Sequence, residues 1–258
     1  FLVEGVGALL YMTVFVPEFG VRGIWISVFT AVSAFCNAGI DILAENSLCN
    51  YAANPIINLV TCLLIILSGI GYIVWWDVLG LNARKRRGLR HLTLHSKIAI
   101  FTTLILIFGG GLLIFLFEYQ NPLTIGNLSL FDKIQVSLFQ SVTTRTAGFA
   151  TVPQENLTNA TSILCLLLMF IGGSPVGTAG GIKTVTFALL AVSALATIQN
   201  KREVTLFQRN ISKQAISKAV AVTMMSFAIM FTSTLLLCAV TDADALDVVY
   251  ETVSATAT

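Results

Sequence analysis

The sequence is poor in charged residues. Only 11% of its 258 residues are Asp, Glu, Lys or Arg, whereas 56% are hydrophobic. A soluble domain carries about 25% charged residues, so this scarcity excludes an ordinary soluble domain. The composition predicts an all-α integral membrane protein, and nothing in it points to a nucleic-acid partner.

The patterns that mark metal centres and catalytic sites are also missing. The five cysteines form no CxxC pair and show no metal-ligand spacing. Three of them lie in apolar runs, where free cysteine is usually a small buried hydrophobe. No Ser/His/Asp or Cys/His combination suggests a nucleophile with its base. We therefore expect no disulfide framework, no catalytic residues and no enzymatic activity.

Long apolar runs are what the sequence does contain. The clearest is Ile98–Phe117, 20 residues without a charge, which is about the length that crosses a bilayer. Trp75 and Trp76 are placed like an interfacial belt at the end of another run. Residues 17–23 are predicted to break the chain after its first helix. The remaining predicted spans are 1–16, 54–81, 158–172 with its continuation over 184–198, and 215–240.

Three further apolar runs are too short to cross the membrane. They cover residues 24–36, 130–144 and 246–257, whereas a full span needs about 20 residues. The first two lie between longer runs, and the third follows one. We interpret them as half-helices that enter the membrane and stop inside it.

The ends of these half-helices carry a repeated pattern. The first ends in Asn37-Ala38-Gly39-Ile40 and the second in Thr146-Ala147-Gly148-Phe149, and the third restarts the pattern and reaches Thr258. The spacing is 109 residues from Asn37 to Thr146 and 112 from Thr146 to Thr258. A period this constant indicates an internal repeat, whose unit is span, half-helix with loop, span.

A polar-small-Gly-apolar loop at membrane depth is typical of a re-entrant pore loop. Irregular backbone is tolerated there only beside protein or a water-filled cavity, and glycine lets the backbone turn its carbonyls toward an ion. Carbonyl rings, rather than carboxylate rings, favour potassium. Asn37 and Thr146 can add side-chain contacts, and Asp41 is placed to attract cations at the mouth. The alternative is a simple Gly-containing turn, which the repetition disfavours.

A glycine-rich stretch over residues 172–184 interrupts the span that begins at Thr158. Fifteen helical residues rise about 22 Å, so the interruption falls beyond the bilayer centre and below the loops. We interpret it as a flexible gate, with Lys183 as an electrostatic barrier to cations or an anchor for the segment. The alternative is a packing kink with Lys183 snorkelling to the interface. The gate residues are Gly173, Ser174, Pro175, Gly177, Thr178, Gly180, Gly181 and Lys183.

Basic residues predict the orientation. Two connecting segments, 82–97 and 199–214, hold most of the cations and are therefore expected in the cytoplasm. The pore loops then enter from the outside of a multi-pass cell-membrane protein. A docking site for anionic lipid or a cytoplasmic partner is the alternative role of these segments. Their basic residues are Arg84, Lys85, Arg86, Arg87, Arg90 and Lys97, and Lys201, Arg202, Arg209 and Lys213.

These motifs resemble the Trk/Ktr family of potassium-uptake transporters over nearly the whole chain. The matching segments are Ser33–Gly39, Thr143–Phe149 and Gly172–Thr184. The Ser174-Pro175 form of the third segment is closer to the sodium-dependent Ktr branch than to the Trk branch. The family usually has a bulky aromatic residue where this chain has Ile40, which affects loop packing rather than the supply of carbonyls.

The resemblance implies four span–pore-helix–span repeats around one potassium pathway, in a homodimer seated on a cytoplasmic nucleotide-binding (RCK-type) ring. Residues 1–81, 98–198 and 215–258 would be the second, third and truncated fourth repeats. Asn37–Ile40 and Thr146–Phe149 would then be filter segments, Thr258 would begin the last filter segment, and Gly173–Lys183 would be the gating loop. K+ would be the transported ion, with Na+ as a possible coupling ion.

The same resemblance implies that the first repeat is missing here and that the fourth stops at Thr258. We therefore expect that this stretch alone does not conduct. Two other functions stay open from the sequence: a non-conducting membrane scaffold subunit, and a carrier for another small cation.

Overall fold

The structure, a computed structural model, describes residues 1–43, 46–83, 91–201 and 203–257. Glu45, most of the first basic segment (84–90), Arg202 and Thr258 lie outside the described residues. The described part contains ten α-helices and one short hairpin. The helices are α1 (Leu2–Phe19), α2 (Val21–Phe35), α3 (Pro55–Gly69), α4 (Tyr72–Ala83), α5 (Leu94–Glu118), α6 (Leu130–Thr143), α7 (Asn159–Phe170), α8 (Thr184–Ile198), α9 (Lys213–Val240) and α10 (Ala245–Ala257). The antiparallel hairpin pairs β1 (Thr205–Leu206) with β2 (Arg209–Asn210) between α8 and α9.

Helix starts follow from local sequence. Five helices begin after a polar residue whose side-chain oxygen accepts a hydrogen bond from a backbone N–H of the first turn. Such a cap contributes about 1 kcal/mol. The capping residues are Asn54, Thr93, Ser129, Thr158 and Ser212.

Three of the described helices, α1, α5 and α9, are long and apolar enough to cross a membrane. The helices α2, α7 and α8 are apolar but shorter. The two half-helices predicted before the loops are α2, with 15 residues, and α6, with 14. Both are followed directly by non-helical chain.

The prediction of a single span over residues 54–81 misses a bend. This stretch consists of α3 and α4, which are bent by 89° at a short break. The break contains Gly71, whose φ of +86° is accessible mainly to glycine. A Cβ on Gly71 would collide with the carbonyl oxygen of Pro175, so the bend exists where the glycine-rich segment packs against it.

The predicted break over residues 17–23 is also wrong in extent. The helix α1 continues through Pro17 to Phe19, and Gly20, with a φ of +59°, leads at once into α2. Gly23 packs against the backbone of Phe15, and a Cβ there would overlap the Phe15 carbonyl. The result is a tight hairpin of two helices rather than two helices joined by a loop.

The interior contains two clusters of buried apolar side chains. One joins α1, α2 and α3 to the end of α6, with Tyr11, Phe15 and Phe139 fully buried. The other lies between α6, α7 and α10 and includes Cys165 and Val253. The two loops that follow α2 and α6 lie beside these clusters.

Candidate functional site

The loops after α2 and α6 have the same backbone conformation at equivalent positions. Asn37 and Gly39 have φ values of +51° and +64°, and Thr146 and Gly148 have values of +71° and +91°. Positive φ is uncommon for residues other than glycine and costly for a β-branched residue such as Thr146. The sequence repeat is thus also a repeat of an unusual backbone shape.

The two loops touch each other at their glycines. A Cβ on Gly148 would lie 3.1 Å from the Gly39 Cα, and one on Gly39 would collide with the carbonyl oxygen of Ala147. Neither position has room for a side chain. The repeated glycine is therefore required by the close approach of the two loops as well as by positive φ.

In each loop, a run of backbone carbonyls ends at a carbonyl that accepts a hydrogen bond from a side-chain hydroxyl. The Ser33 hydroxyl donates to the Ile40 carbonyl at 2.5 Å, and the Thr143 hydroxyl donates to the Phe149 carbonyl at 2.6 Å. No hydrogen bond described in the structure ends on the carbonyls before these two positions, and such groups are free to meet a ligand. They belong to Asn37, Ala38, Gly39, Thr146, Ala147 and Gly148.

The glycine-rich segment between α7 and α8 packs against both loops. The Asn37 side-chain amide donates to the Thr178 hydroxyl at 2.6 Å, and the Gly180 N–H donates to the Thr146 hydroxyl at 2.9 Å. Thr178 also donates to the carbonyl of Phe35 at 3.3 Å. Asn37 and Thr146, the two loop residues with positive φ other than glycine, therefore form hydrogen bonds with the segment through their side chains.

The same segment is fixed in the bend between α3 and α4. The Ser174 N–H donates to the Gly69 carbonyl at 2.9 Å, and the Tyr72 N–H donates to the Val176 carbonyl at 3.3 Å. A Cβ on Gly177 would lie 2.8 Å from the Gly69 carbonyl oxygen. The end of α3, the start of α4 and the segment thus satisfy one another's backbone groups.

Polar contacts inside the segment give it a defined shape. The hydroxyls of Ser174 and Thr184 lie 2.9 Å apart, and the Thr184 N–H donates to the Gly173 carbonyl at 2.9 Å. The Lys183 ammonium donates to the Ala179 carbonyl at 2.7 Å. This contact of Lys183 lies within the segment itself.

Sequence reasoning assigned no role to Arg145, which is buried between the second loop and the glycine-rich segment. Only 6% of the side chain is exposed, and its Nη2 donates to the Gly172 carbonyl at 3.2 Å. A charged residue directly after a predicted half-helix would be expensive at membrane depth and is a candidate functional position. That signal was present in the sequence at Thr144-Arg145-Thr146.

A third helix end reaches the second loop from the other side. A cavity of about 140 Å³ lies between this loop and α10, lined by Gly148 and Phe149 on one side and by Tyr250, Ser254 and Ala257 on the other. The loop predicted after α10 begins with Thr258, which lies outside the described residues.

The apolar residues that end the two loop motifs differ in their surroundings. Phe149 is fully buried, whereas 60% of Ile40 is exposed. Both keep the carbonyl contact with a hydroxyl one helical turn before the loop. The last apolar residue therefore packs differently in the two loops, whereas the contact of its carbonyl is the same.

Comparison with known proteins places these features in a family. Residues 5–258 match the model of the TrkH family, which is described as a cation transport protein. The Ktr system potassium uptake protein B of Bacillus subtilis is 39% identical over 98% of this chain and 56% of its own length. The potassium/sodium uptake protein NtpJ of Enterococcus hirae is 38% identical over 84% of this chain and 47% of its own.

A solved structure has the same fold. The potassium transporter TrkH from Vibrio parahaemolyticus superposes with a TM-score of 0.75 at 19% identity, over 96% of this chain and 51% of that one. The chain spans about half the length of the curated relatives it matches.

Proposed function

The chain belongs to the TrkH family of cation transport proteins. We propose that the full-length protein takes up K+ across the cell membrane. The substrate is proposed from the relatives named for potassium uptake and from the carbonyl-rich loops. In this proposal the unit of span, half-helix with loop and span is repeated around one ion pathway. Residues 1–81, 98–198 and 215–258 contribute three of the repeats.

The filter is proposed to contain residues 37–40 and 146–149, with Thr258 in the next segment. Its main support is that two loops with the same left-handed positions meet at Gly39 and Gly148 and leave six carbonyls free of described hydrogen bonds. Backbone carbonyls can replace the hydration shell of K+. The role of each loop is to hold those oxygens in place while the ion passes.

The glycine-rich segment from Gly173 to Lys183 is proposed to gate this pathway. Its hydrogen bonds to Asn37 and Thr146 support a closed position directly against the filter loops. Its glycines at 173, 177, 180 and 181 allow more than one backbone path. Opening requires that the contacts with both loops break together, which makes the segment a switch between two packed arrangements.

The remaining features of the proposal concern the whole protein. The pore loops enter from outside, and the basic segments 82–97 and 199–214 face the cytoplasm. Two copies pair, and a cytoplasmic nucleotide-binding ring of the RCK type controls opening. Na+ acts as a coupling ion, in keeping with the potassium/sodium uptake protein among the relatives.

Growth of cells that lack their own potassium uptake tests the proposal. The full-length protein should restore growth at low K+, and Gly148→Ala should abolish it because the new Cβ enters a strained, close-packed position. Gly109→Ala is the matched control, since among the described residues no atom outside its own turn of helix lies within 4 Å of a Cβ there. No rescue by a well-expressed full-length protein would overturn the proposed function.

A further inference from the structure

Three buried polar atoms near the filter loops have no hydrogen-bond partner among the described residues. They are Oδ1 of Asn37, Oγ1 of Thr103 and Nε of Arg145. The side chains are 6%, 3% and 6% exposed, respectively. A buried polar group without a partner is costly, so three of them on neighbouring elements require an explanation.

All three residues line one small cavity. It lies between the first loop, α3, α5, the chain from the end of α6 to Arg145, and the glycine-rich segment, and its volume is about 10 Å³. A water molecule needs about 10–15 Å³ of such space and two to four polar partners. The cavity therefore matches one water molecule in size and in the number of groups available.

The chemistry of the three atoms selects the occupant. Asn37 Oδ1 only accepts a hydrogen bond, Arg145 Nε only donates one, and the Thr103 hydroxyl does either. A cation would face the guanidinium of Arg145, and an anion would face the carbonyl oxygen of Asn37. We propose that a water molecule binds here, donating to Asn37, accepting from Arg145 and completing its bonds with Thr103.

This water would join parts that are far apart in the chain. Asn37 also donates to Thr178 in the glycine-rich segment, and Arg145 also donates to the carbonyl of Gly172, the residue directly before that segment. Thr103, on α5, would be the third partner of the water. No described hydrogen bond joins its side chain to the glycine-rich segment or to the carbonyl run. We therefore assign Thr103 as a positioning residue that holds the two loops in place relative to each other through this water.

The binding of the water can be tested without transport. The full-length protein, solved in K+ at a resolution that shows ordered waters, should have a peak within hydrogen-bond distance of Asn37 Oδ1, Thr103 Oγ1 and Arg145 Nε. The peak should be lost in Thr103→Val. Exchange of K+ for Tl+ should add no heavy-atom signal at this position. An empty cavity in the wild type, or a Tl+ signal there, would overturn the proposal.

The positioning role of Thr103 rests on the proposed function and is read from ion flux. Thr103→Val should lower the ratio of K+ to Na+ flux about fivefold, the factor that one ordinary hydrogen bond represents, and Thr103→Ser should restore it. Thr30→Val is the matched control, because the Thr30 hydroxyl is equally buried and lacks a described partner but is outside this cavity.

The outcomes separate the two ideas. Equal flux ratios for Thr103→Val and Thr30→Val would overturn the positioning role. Absence of K+ flux in the wild type would overturn the proposed function instead, and the density in the cavity would still decide on the water.

Discussion

The side-chain amide of Asn37 donates to the hydroxyl of Thr178 at 2.6 Å, across 141 positions of the chain. One of these residues belongs to a proposed filter loop and the other to the proposed gate. The bond links the proposed filter loop to the proposed gate, so a change in the conformation of one should alter the stability of the other. Several consequences can be measured on the full-length protein.

Loss of the Thr178 hydroxyl should favour the open gate. Thr178→Val removes the bond from Asn37 and the bond to the Phe35 carbonyl while keeping the side-chain volume. At about 1 kcal/mol net for each of these two hydrogen bonds, the loss corresponds to about a 30-fold rise in leak of K+ under closing conditions. Flux of Rb+ into vesicles measures the leak.

Thr197→Val is the control for that change. The Thr197 side chain is exposed on α8, and its hydroxyl bonds only to the Ser193 carbonyl of the same helix among the described contacts. Its leak should equal that of the wild type. A leak in Thr178→Val no greater than in this control would contradict the closed contact.

At Thr146 the hydroxyl, rather than the shape of the side chain, should matter. Thr146→Val leaves the Gly180 N–H without its partner at 2.9 Å, whereas Thr146→Ser keeps the acceptor. Serine also lacks the β-branch that is costly at a φ of +71°. We expect increased leak in the valine variant and wild-type gating in the serine variant. Equal leak in the two would show that the hydroxyl does not hold the segment.

The bend between α3 and α4 should depend on Gly71. Gly71→Ala combines a positive φ of +86° with a collision against the Pro175 carbonyl. The purified variant should unfold several degrees below the wild type in a thermal scan. Gly80→Ala, in α4, places its Cβ more than 4 Å from the rest of the described part of the chain outside its own turn of helix and should unfold at the wild-type temperature. If both variants unfold together, the bend does not need glycine.

This bend also shows where sequence reasoning stops. Residues 55–69 and 72–83 form one apolar run whose composition is that of a single span, because hydropathy reports burial but not direction. The turn at Gly71 is set by the chain around Pro175, about a hundred residues away, and no local pattern contains that contact. The glycines flanking Ile70 were visible in the sequence but had no assigned partner.

Other elements were predictable because their causes are local. The bounds of α8 equal the predicted range of 184–198, since a glycine-rich stretch precedes it and an apolar run fills it. The equivalence of the two loops followed from their shared polar-small-Gly-apolar order and is seen in the matched φ values. The role of Arg145 was missed because its partner, the Gly172 carbonyl, is supplied by a distant segment.

The buried carboxylate of Glu118 should stabilise the junction of α5 and α7. It accepts hydrogen bonds from Asn121, from Thr124, and from both the N–H and the hydroxyl of Thr158. Glu118→Gln turns one acceptor oxygen into a donor against these groups and should cost about 1–3 kcal/mol. Thermal unfolding of the purified protein measures the loss.

Glu155→Gln is the control for that substitution, because Glu155 is exposed and lies near the same end of α7. It should leave the unfolding temperature unchanged. A variant of Glu118 that is as stable as this control would contradict a structural role for the carboxylate.

The central claim is that the carbonyls around Gly39 and Gly148 select K+. The most direct measurement is uptake of K+, Rb+ and Na+ by the full-length protein in proteoliposomes, with and without a sodium gradient, for the wild type, Gly148→Ala and Gly109→Ala. The wild type and Gly109→Ala should transport K+ and Rb+ in preference to Na+. Gly148→Ala, with its Cβ 3.1 Å from the Gly39 Cα, should lose uptake or selectivity. Selective uptake of K+ by Gly148→Ala at the wild-type rate would contradict it.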